Sequence, residues 1–538
     1  MQIFLSIALT AAALFENSSA YVATFDSAVQ SSELPADLSS LDARKLADKV
    51  LELSWSVGSG GERQKFIHVL LKELKERQNE DGTWTLGWNE ASPPDSAFVV
   101  KSLWLASRVL STLKSFDIFK REFEVILKPA GEALITGGIH TANHRWLVCA
   151  ALAGLNEIYK DRRYLSRISE WLAEGIDLDA DGEFSERSAG IYSPLSTQDL
   201  FLVATLTHRT GLNGLLEKHL RHAITLFQEP YEILTLGSRR QDQWRIQKPL
   251  PYLWVLMATA AQLNDPSLLQ AAAWLQAKAI ESKDYDIFTY SMLKLNPTWR
   301  ISVEKGGLPA ELARSIPNSG LFRLKKSGWD LSAYSGQDKN FPVGSGTAQN
   351  PTILTARSTR IIIDSIRFSS GLFGTGFIPA DKIESPDGKS LLISAERSIG
   401  YYQPLQGEQL QIDGNYKLEF EGRFFSKLGF SNRAKSNESR VTYELKVMPT
   451  ENALTLNLRA VGPKSLWMTM EICFRSWKQS TADFQEMLGA KFTHKPKNPQ
   501  LWSEQYSQHH GQLLSPGECF YLNGAGLLEK VIQIENGR

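Results

Sequence analysis

One change of rhythm limits this chain more than anything else in it. Up to about residue 285, apolar residues recur at the three-to-four spacing of a helix face. After about residue 300 the recurrence becomes the alternation of a half-buried strand. A face built at one period cannot serve the other, so the two halves fold as different architectures, one after the other. The chain's 538 residues also exceed what a single hydrophobic core holds together, which again gives two large domains.

In the first half the helical segments pair across short breaks. Hairpins are expected at roughly 41–54 with 61–78, 95–114 with 118–136, 143–160 with 162–176, 197–210 with 213–228, and 250–263 with 266–282. A run of about five antiparallel hairpins without tight sequence repetition predicts an α/α toroid, here incomplete, over residues 21–300. Alternation then marks strands at 359–368, 416–425, 440–448, 454–461 and 466–474, separated by Gly, Pro, Asn and Ser clusters. They predict an antiparallel β-sandwich over 301–538, with the loop at 329–341 a candidate wall element. Pro and Gly break the helical pattern in the changeover, 294–312.

Lys+Arg and Asp+Glu both number 59, so no global field draws the chain to nucleic acid or to a membrane surface. An anionic ligand has to be met by a local cluster. The apolar run Ile3–Phe15 followed by small residues at Ser18–Ala20 reads as a signal peptide over 1–20, which predicts a secreted or periplasmic protein without a membrane anchor after cleavage. Three cysteines allow one disulfide, with Cys473–Cys519 as the candidate pair; Cys149 lies on an apolar helical face and reads as core. Asn437-Glu-Ser matches a glycosylation acceptor.

Four segments interrupt the helical half with polar and aromatic residues. In 79–98, Trp84 and Trp88 flank a loop that ends at Asp95. An exposed indole is a platform for a sugar ring, while the plain alternative is that the tryptophans fill core and Asp95 or Ser96 caps the next helix. In 137–155, His140, Asn143, His144 and Arg145 crowd the mouth of a helix, with Asn143 as the expected N-cap. A helix N-terminus favours a bound carboxylate. In 177–194, DLDADGE has the acidic spacing of a calcium loop but is too short for the twelve-position form, so a structural calcium is the one cofactor left open. The rest of that segment puts Glu183, Glu186, Arg187 and Tyr192 in one irregular stretch. In 233–244, Arg239, Arg240, Gln241 and Asp242 offer planar forks for carboxylates.

NHRW at 143–146, ERSAGIY at 186–192 and SRRQD at 238–242 resemble the heparinase II/III-like polysaccharide lyases, and the two-domain layout is similar along the whole chain. Among these, the resemblance points to lyases that release L-rhamnose from 4-linked glucuronate. The resemblance implies β-elimination on an acidic polysaccharide or oligosaccharide, without a cofactor. A base removes the C5 proton of a uronate and an acid protonates O4, while donors neutralise the carboxylate and so stabilise the enolate-like state. It implies Asn143 as neutraliser, aided by Arg239 or Arg240, and His144 or Tyr192 as proton carriers, with the choice of base open. Trp84, Trp88, Asp95, Arg145, Glu186, Arg187, Arg239, Gln241 and Asp242 would line the sugar.

Two other readings remain at this level. A glycoside hydrolase would use a carboxylate pair drawn from Asp95, Glu183, Glu186 and Asp242, set about 5–10 Å apart. A non-catalytic protein would hold a glycan with the same aromatic loops.

Overall fold

The computed structural model describes residues 19–59, 61–299, 306–337, 350–372, 376–417, 427–475 and 518–535. It falls into two compact units: residues up to Ile233 with Gln247–Leu308, and Leu234–Ile246 with Pro309 onward.

The first unit is a ring of helices: α1 (Ala20–Gln30), α2 (Ala43–Ser54), α3 (Gly61–Glu76), α4 (Pro93–Thr112), α5 (Phe116–Thr136), α6 (Ala142–Tyr159), α7 (Arg162–Ala173), α8 (Tyr192–Leu206), α9 (Asn213–Ala223), α10 (Leu253–Leu263), α11 (Pro266–Glu281) and α12 (Ile287–Leu295). Two short hairpins, β1 (Trp84–Leu86) with β2 (Asn89–Ser92) and β3 (Phe227–Gln228) with β4 (Glu232–Ile233), lie between them. The even-numbered helices α2 to α12 contact one another in sequence, and α12 returns to α2. They form the inner wall, and the odd-numbered helices form the outer one.

Burial follows from this placement. In α6 every residue from Trp146 to Leu155 is buried, and in α10 every residue from Leu253 to Ala260. The outer α7 buries only Tyr164 and Ile168. An inner helix is therefore apolar nearly all round, and an outer one along a single stripe. Gly154 lets α6 approach α4, since a Cβ there would stand 2.6 Å from Trp104 Cγ. Because each hairpin reverses direction, the inner helices run parallel and their N-termini share one rim.

The five expected hairpins are present, and a sixth pair completes the ring. α12 was not expected, and its partner is α1, the first helix of the unit. The Tyr21 hydroxyl donates to Asp284 O (3.2 Å) and accepts from Asp286 N (3.0 Å); Asp26 is bonded by the Tyr290 hydroxyl (2.5 Å) and by Lys294. Ser19, inside the stretch read as a leader, is buried and caps α1 by accepting from Val22 N.

The second unit holds two antiparallel sheets. Its strands are β5 (Leu312–Ile316), β6 (Leu321–Lys326), β7 (Trp329–Tyr334), β8 (Leu354–Arg357), β9 (Ile362–Ser370), β10 (Gly376–Phe377), β11 (Lys382–Glu384), β12 (Leu391–Tyr402), β13 (Lys435–Pro449), β14 (Ala453–Val461), β15 (Trp467–Phe474), β16 (Glu518–Ala525) and β17 (Leu527–Glu535). One sheet has the order β16-β15-β9-β8-β7-β6-β5, with β10 beside β9; the other is β11-β12-β13-β14-β17. Leu331, Ile363, Ile366 and Met470 of the first pack against Leu391, Leu445, Leu456 and Ile532 of the second in one core, so the expected sandwich is what forms. Four expected strands coincide with β9, β13, β14 and β15; the fifth, 416–425, lies almost wholly outside the described residues, as do 338–341 of the candidate wall loop. Cys473 and Cys519 are paired in register across β15 and β16 and joined by a disulfide. Cys149 is buried in α6. Among the described residues, no helix is long and apolar enough to cross a membrane.

Candidate active site

The rim that carries the inner N-termini is where the polar residues gather. Six parallel helices put the positive ends of their backbone dipoles and their unpaired N–H groups there, which favours an anion.

On α4, Ser92 is the N-cap and Asp95 the third helical residue. The Ser92 hydroxyl donates to Asp95 Oδ2 (2.6 Å) and accepts from Asp95 N (3.2 Å), a reciprocal capping pair. Asn89 Nδ2 donates to the same carboxylate (2.9 Å), and Arg44, second residue of α2, pairs with its other oxygen. The Arg44 guanidinium lies over the Phe98 ring at 3.8 Å. Asp95 is thus not the N-cap, and its buried carboxylate is engaged by three neighbours, Ser92, Asn89 and Arg44.

On α6 the N-cap is Thr141 and Asn143 is the second helical residue, not the cap. Its buried carboxamide donates to both oxygens of Glu186 (3.0 and 2.9 Å) and to Thr141 Oγ1 (3.1 Å). Both N–H groups of Asn143 are therefore engaged, the first by a carboxylate of the chain itself. His144 is buried, its ring meeting His140 edge to face at 4.7 Å. Arg145 is engaged within the chain: it binds Asp177 (3.1 Å), Glu174 (3.3 Å) and Gly175 O (3.4 Å) and stacks on Trp146.

The segment 177–191 is irregular but tied down. Trp146 Nε1 and Arg145 share Asp177 Oδ1, and Ser185 Oγ donates to Oδ2 at 2.5 Å. Asp179 Oδ1 accepts from the backbone of Asp181 (2.8 Å) and Glu183 (2.9 Å). Of the acidic residues in this stretch, Asp177 and Oδ1 of Asp179 thus already hold N–H and O–H donors of the chain. Gly182 has φ +89°, and a Cβ there would sit 2.8 Å from Lys218 O. Its carbonyl accepts from His219 Nδ1 (2.8 Å), and burial pushes the His219 pKa down to about 4, so this ring is neutral at physiological pH. Glu183 is buried, with His222 at 3.8 Å and Arg187 at 3.9 Å. Arg187 holds φ +51°, a left-handed conformation that costs a non-glycine residue about 1 kcal/mol and fixes the direction of the chain just after Glu186. The segment ends at Tyr192, whose N–H donates to Ser188 Oγ (3.1 Å); its half-buried side chain opens α8 at the rim.

Below the rim an ion pair crosses the ring. Lys101 of α4 bonds Asp199 of α8 at 2.8 Å, both side chains almost fully buried, and Lys101 also faces Phe98 and Phe288. Asp48 of α2, largely buried, accepts from Ser102 Oγ (2.7 Å), and burial raises its pKa to about 6.

The structure brings Asn143, His144, Glu186, Tyr192 and Asp95 to one rim. Trp84 is core: it is 1% exposed and its indole donates to Leu74 O, so the expected sugar platform does not exist there. Trp88, at the tip of the β1–β2 hairpin, is 101% exposed. Arg239, Arg240, Gln241 and Asp242 belong to the second unit. There Asp242 is fully buried with Ser238 on its carboxylate; Arg240 N donates to the same hydroxyl (3.1 Å), and Gln241 is exposed. Arg44, Phe98, Lys101 and Asp199 were missed. They occupy ordinary positions in regular helices, and only the closing of the ring makes them neighbours.

No protein-family profile matches the chain, and no curated protein does. Among solved structures, a heparan sulfate lyase mutant from Pedobacter heparinus is similar, with a TM-score of 0.47 and 10% identity, over 98% of this chain and 84% of that one. A heparinase III gene product gives a TM-score of 0.49 and 8% identity, over 98% and 85%. A family 88 glycosyl hydrolase from Bacteroides vulgatus gives 0.36 and 10%, over 55% and 99%. Likenesses this distant say nothing of the chemistry.

Proposed function

We propose that this chain is a polysaccharide lyase, cleaving the bond at O4 of a uronic acid residue by β-elimination. The observation that carries the reading is the company of Tyr192. The half-buried Tyr192 opens α8 at a rim where six helix N-termini point one way, the rim that also carries the Asn143–Glu186 and Arg44–Asp95 pairs.

A uronate needs its charge cancelled before C5 gives up a proton, and oriented dipoles in a sheltered place do this without reorganising. Tyr192 meets solvent where His144 is buried, so Tyr192 is the group assigned to the sugar. As phenolate it takes the C5 proton; the C4–O4 bond breaks as the C4–C5 double bond forms; the proton then passes to O4 of the leaving sugar. His144 stays in reserve as a second proton carrier one helix away. Asn143, with both donors engaged, orients Glu186 rather than meeting the substrate carboxylate itself.

Of the four carboxyl groups a hydrolase would draw on, Asp95 and Glu186 are bonded by Asn89, Arg44 and Asn143, which favours their anionic form, and Asp242 carries the Ser238 hydroxyl; Glu183 has His222 and Arg187 at 3.8 and 3.9 Å. The disulfide suits an oxidising compartment, which fits a secreted or periplasmic protein that meets glycans outside the cell.

The test is a panel of acidic glycans, rhamnose-capped glucuronate termini among them, read by ultraviolet absorbance of unsaturated products. Tyr192→Phe should lower the rate by about two to four powers of ten with the fold intact. Glycan cleavage that leaves only saturated products would overturn the reading.

A further inference from the structure

If Asn143 is occupied, something else must read the negative charge of the sugar. Arg145 is locked to Asp177 and Glu174, Arg187 faces Glu183, and Lys101 is buried against Asp199. Arg44 differs from all three. Its side chain is 36% exposed, and among the described residues only Nη2 is bonded; Nε is buried and finds no partner there. Asp95 and the Phe98 ring fix the plane of the guanidinium without using up its fork.

Helix periodicity places Arg44 opposite Tyr192. On α4, Asp95, Phe98 and Lys101 follow at steps of three and share a stripe. On α8, Tyr192, Ser196 and Asp199 follow at steps of four and three and share another. The Lys101–Asp199 bond shows that these two stripes face each other across the ring. Tyr192 lies seven residues, about 10 Å along the axis, nearer the rim than Asp199. Asp95 lies six residues, about 9 Å, above Lys101. The phenol and the Arg44–Asp95 pair therefore stand at one level. Tyr192 is also among the groups whose charge acts on Arg44, together with Asp42 and Asp48 of its own element.

We propose that Arg44 is the residue that selects an acidic sugar: its partly exposed guanidinium receives the uronate carboxylate and presents C5 to the Tyr192 phenol. This rests on the lyase reading and adds to it the origin of charge selectivity.

The experiment compares binding of a 4-linked glucuronate tetrasaccharide with that of its methyl ester, which keeps the ring and removes the charge. Calorimetry is done on the full chain carrying Tyr192→Phe, so that neither ligand is turned over. With Arg44 intact the acid should bind roughly ten- to a hundredfold more tightly than the ester. Adding Arg44→Met should bring the ratio close to one, and Arg44→Lys should keep part of it. If Arg44→Met unfolds the ring, Arg44→Lys alone decides, and an undiminished acid preference there counts against the proposal. An unchanged ratio in a folded Arg44→Met protein overturns it. No preference for the acid while Arg44 is present sinks the uronate reading itself, a separate outcome.

Discussion

Lys101→Met takes the cation out of the ion pair that crosses the ring and leaves a methionine of similar length. The pair is 2.8 Å long, and its side chains are 5% and 1% exposed. Removing one partner strands the Asp199 carboxylate in the interior, which costs about 3–5 kcal/mol. At roughly 2–4 °C per kcal/mol for a unit of this size, the melting point should fall by about 6–20 °C. Burial already pushes the Asp199 carboxyl above its usual range and Lys101 opposes this, so the variant should show the rise unopposed. The sign follows. A folded state that holds a proton the unfolded chain has released is most stable at low pH and loses stability as pH rises, by up to about 1.4 kcal/mol per unit, until the raised folded value is passed. The deficit of the variant against the parent should therefore grow as pH rises above the usual carboxylate range. Urea unfolding followed by fluorescence reports on the ring through buried Trp104, Trp146 and Trp254. Lys101→Met combined with Asp199→Leu should recover most of the loss, because an apolar pair leaves no charge behind. A single variant as stable as the parent at pH 7.5, or a double variant no better than the single, would refute the reasoning.

Asp48, raised from 3.8 to about 6, should weaken the fold as pH rises from 4 to 6 and have no further effect above that; Asp48→Asn should remove about 1–2 kcal/mol of this dependence, read as the difference from the parent at pH 4.5 and 7. Trp88→Ala should leave the melting point within 1 °C or so, since the indole makes no buried contact, yet raise KM about three- to tenfold where the ring serves as a sugar platform. Arg145→Ala should cost about 1–3 kcal/mol by loosening segment 177–191; a raised KM at unchanged stability would show instead that Arg145 touches the substrate.

The two architectures were legible because periodicity is a local property: the inner helices α2 to α10 and the strands β9, β13, β14 and β15 each carry their own pattern. Legibility stopped short where a contact depends on closure. α1 has four buried residues in eleven and lies beside an apolar leader-like run, so nothing in it announces a partner some 260 residues away. The site was half readable. Asn143, Glu186 and Tyr192 stood out as polar residues at helix mouths, and they do share a rim. Trp84 did not separate from Trp88, because indoles four residues apart in a hairpin look alike until one is seen to reach Leu74. Arg44 gave no signal, since a cation near the start of an amphipathic helix is commonplace.

The pairing of α1 with α12 sets a clock on biosynthesis. At ribosomal speeds of about 5–20 residues per second, α1 waits tens of seconds for α12 to be made. Until then the apolar faces of Tyr21, Phe25 and Val29 have no home. The nascent ring stays an open arc, and anything that shields that one short helix during synthesis decides how much of the chain survives to close.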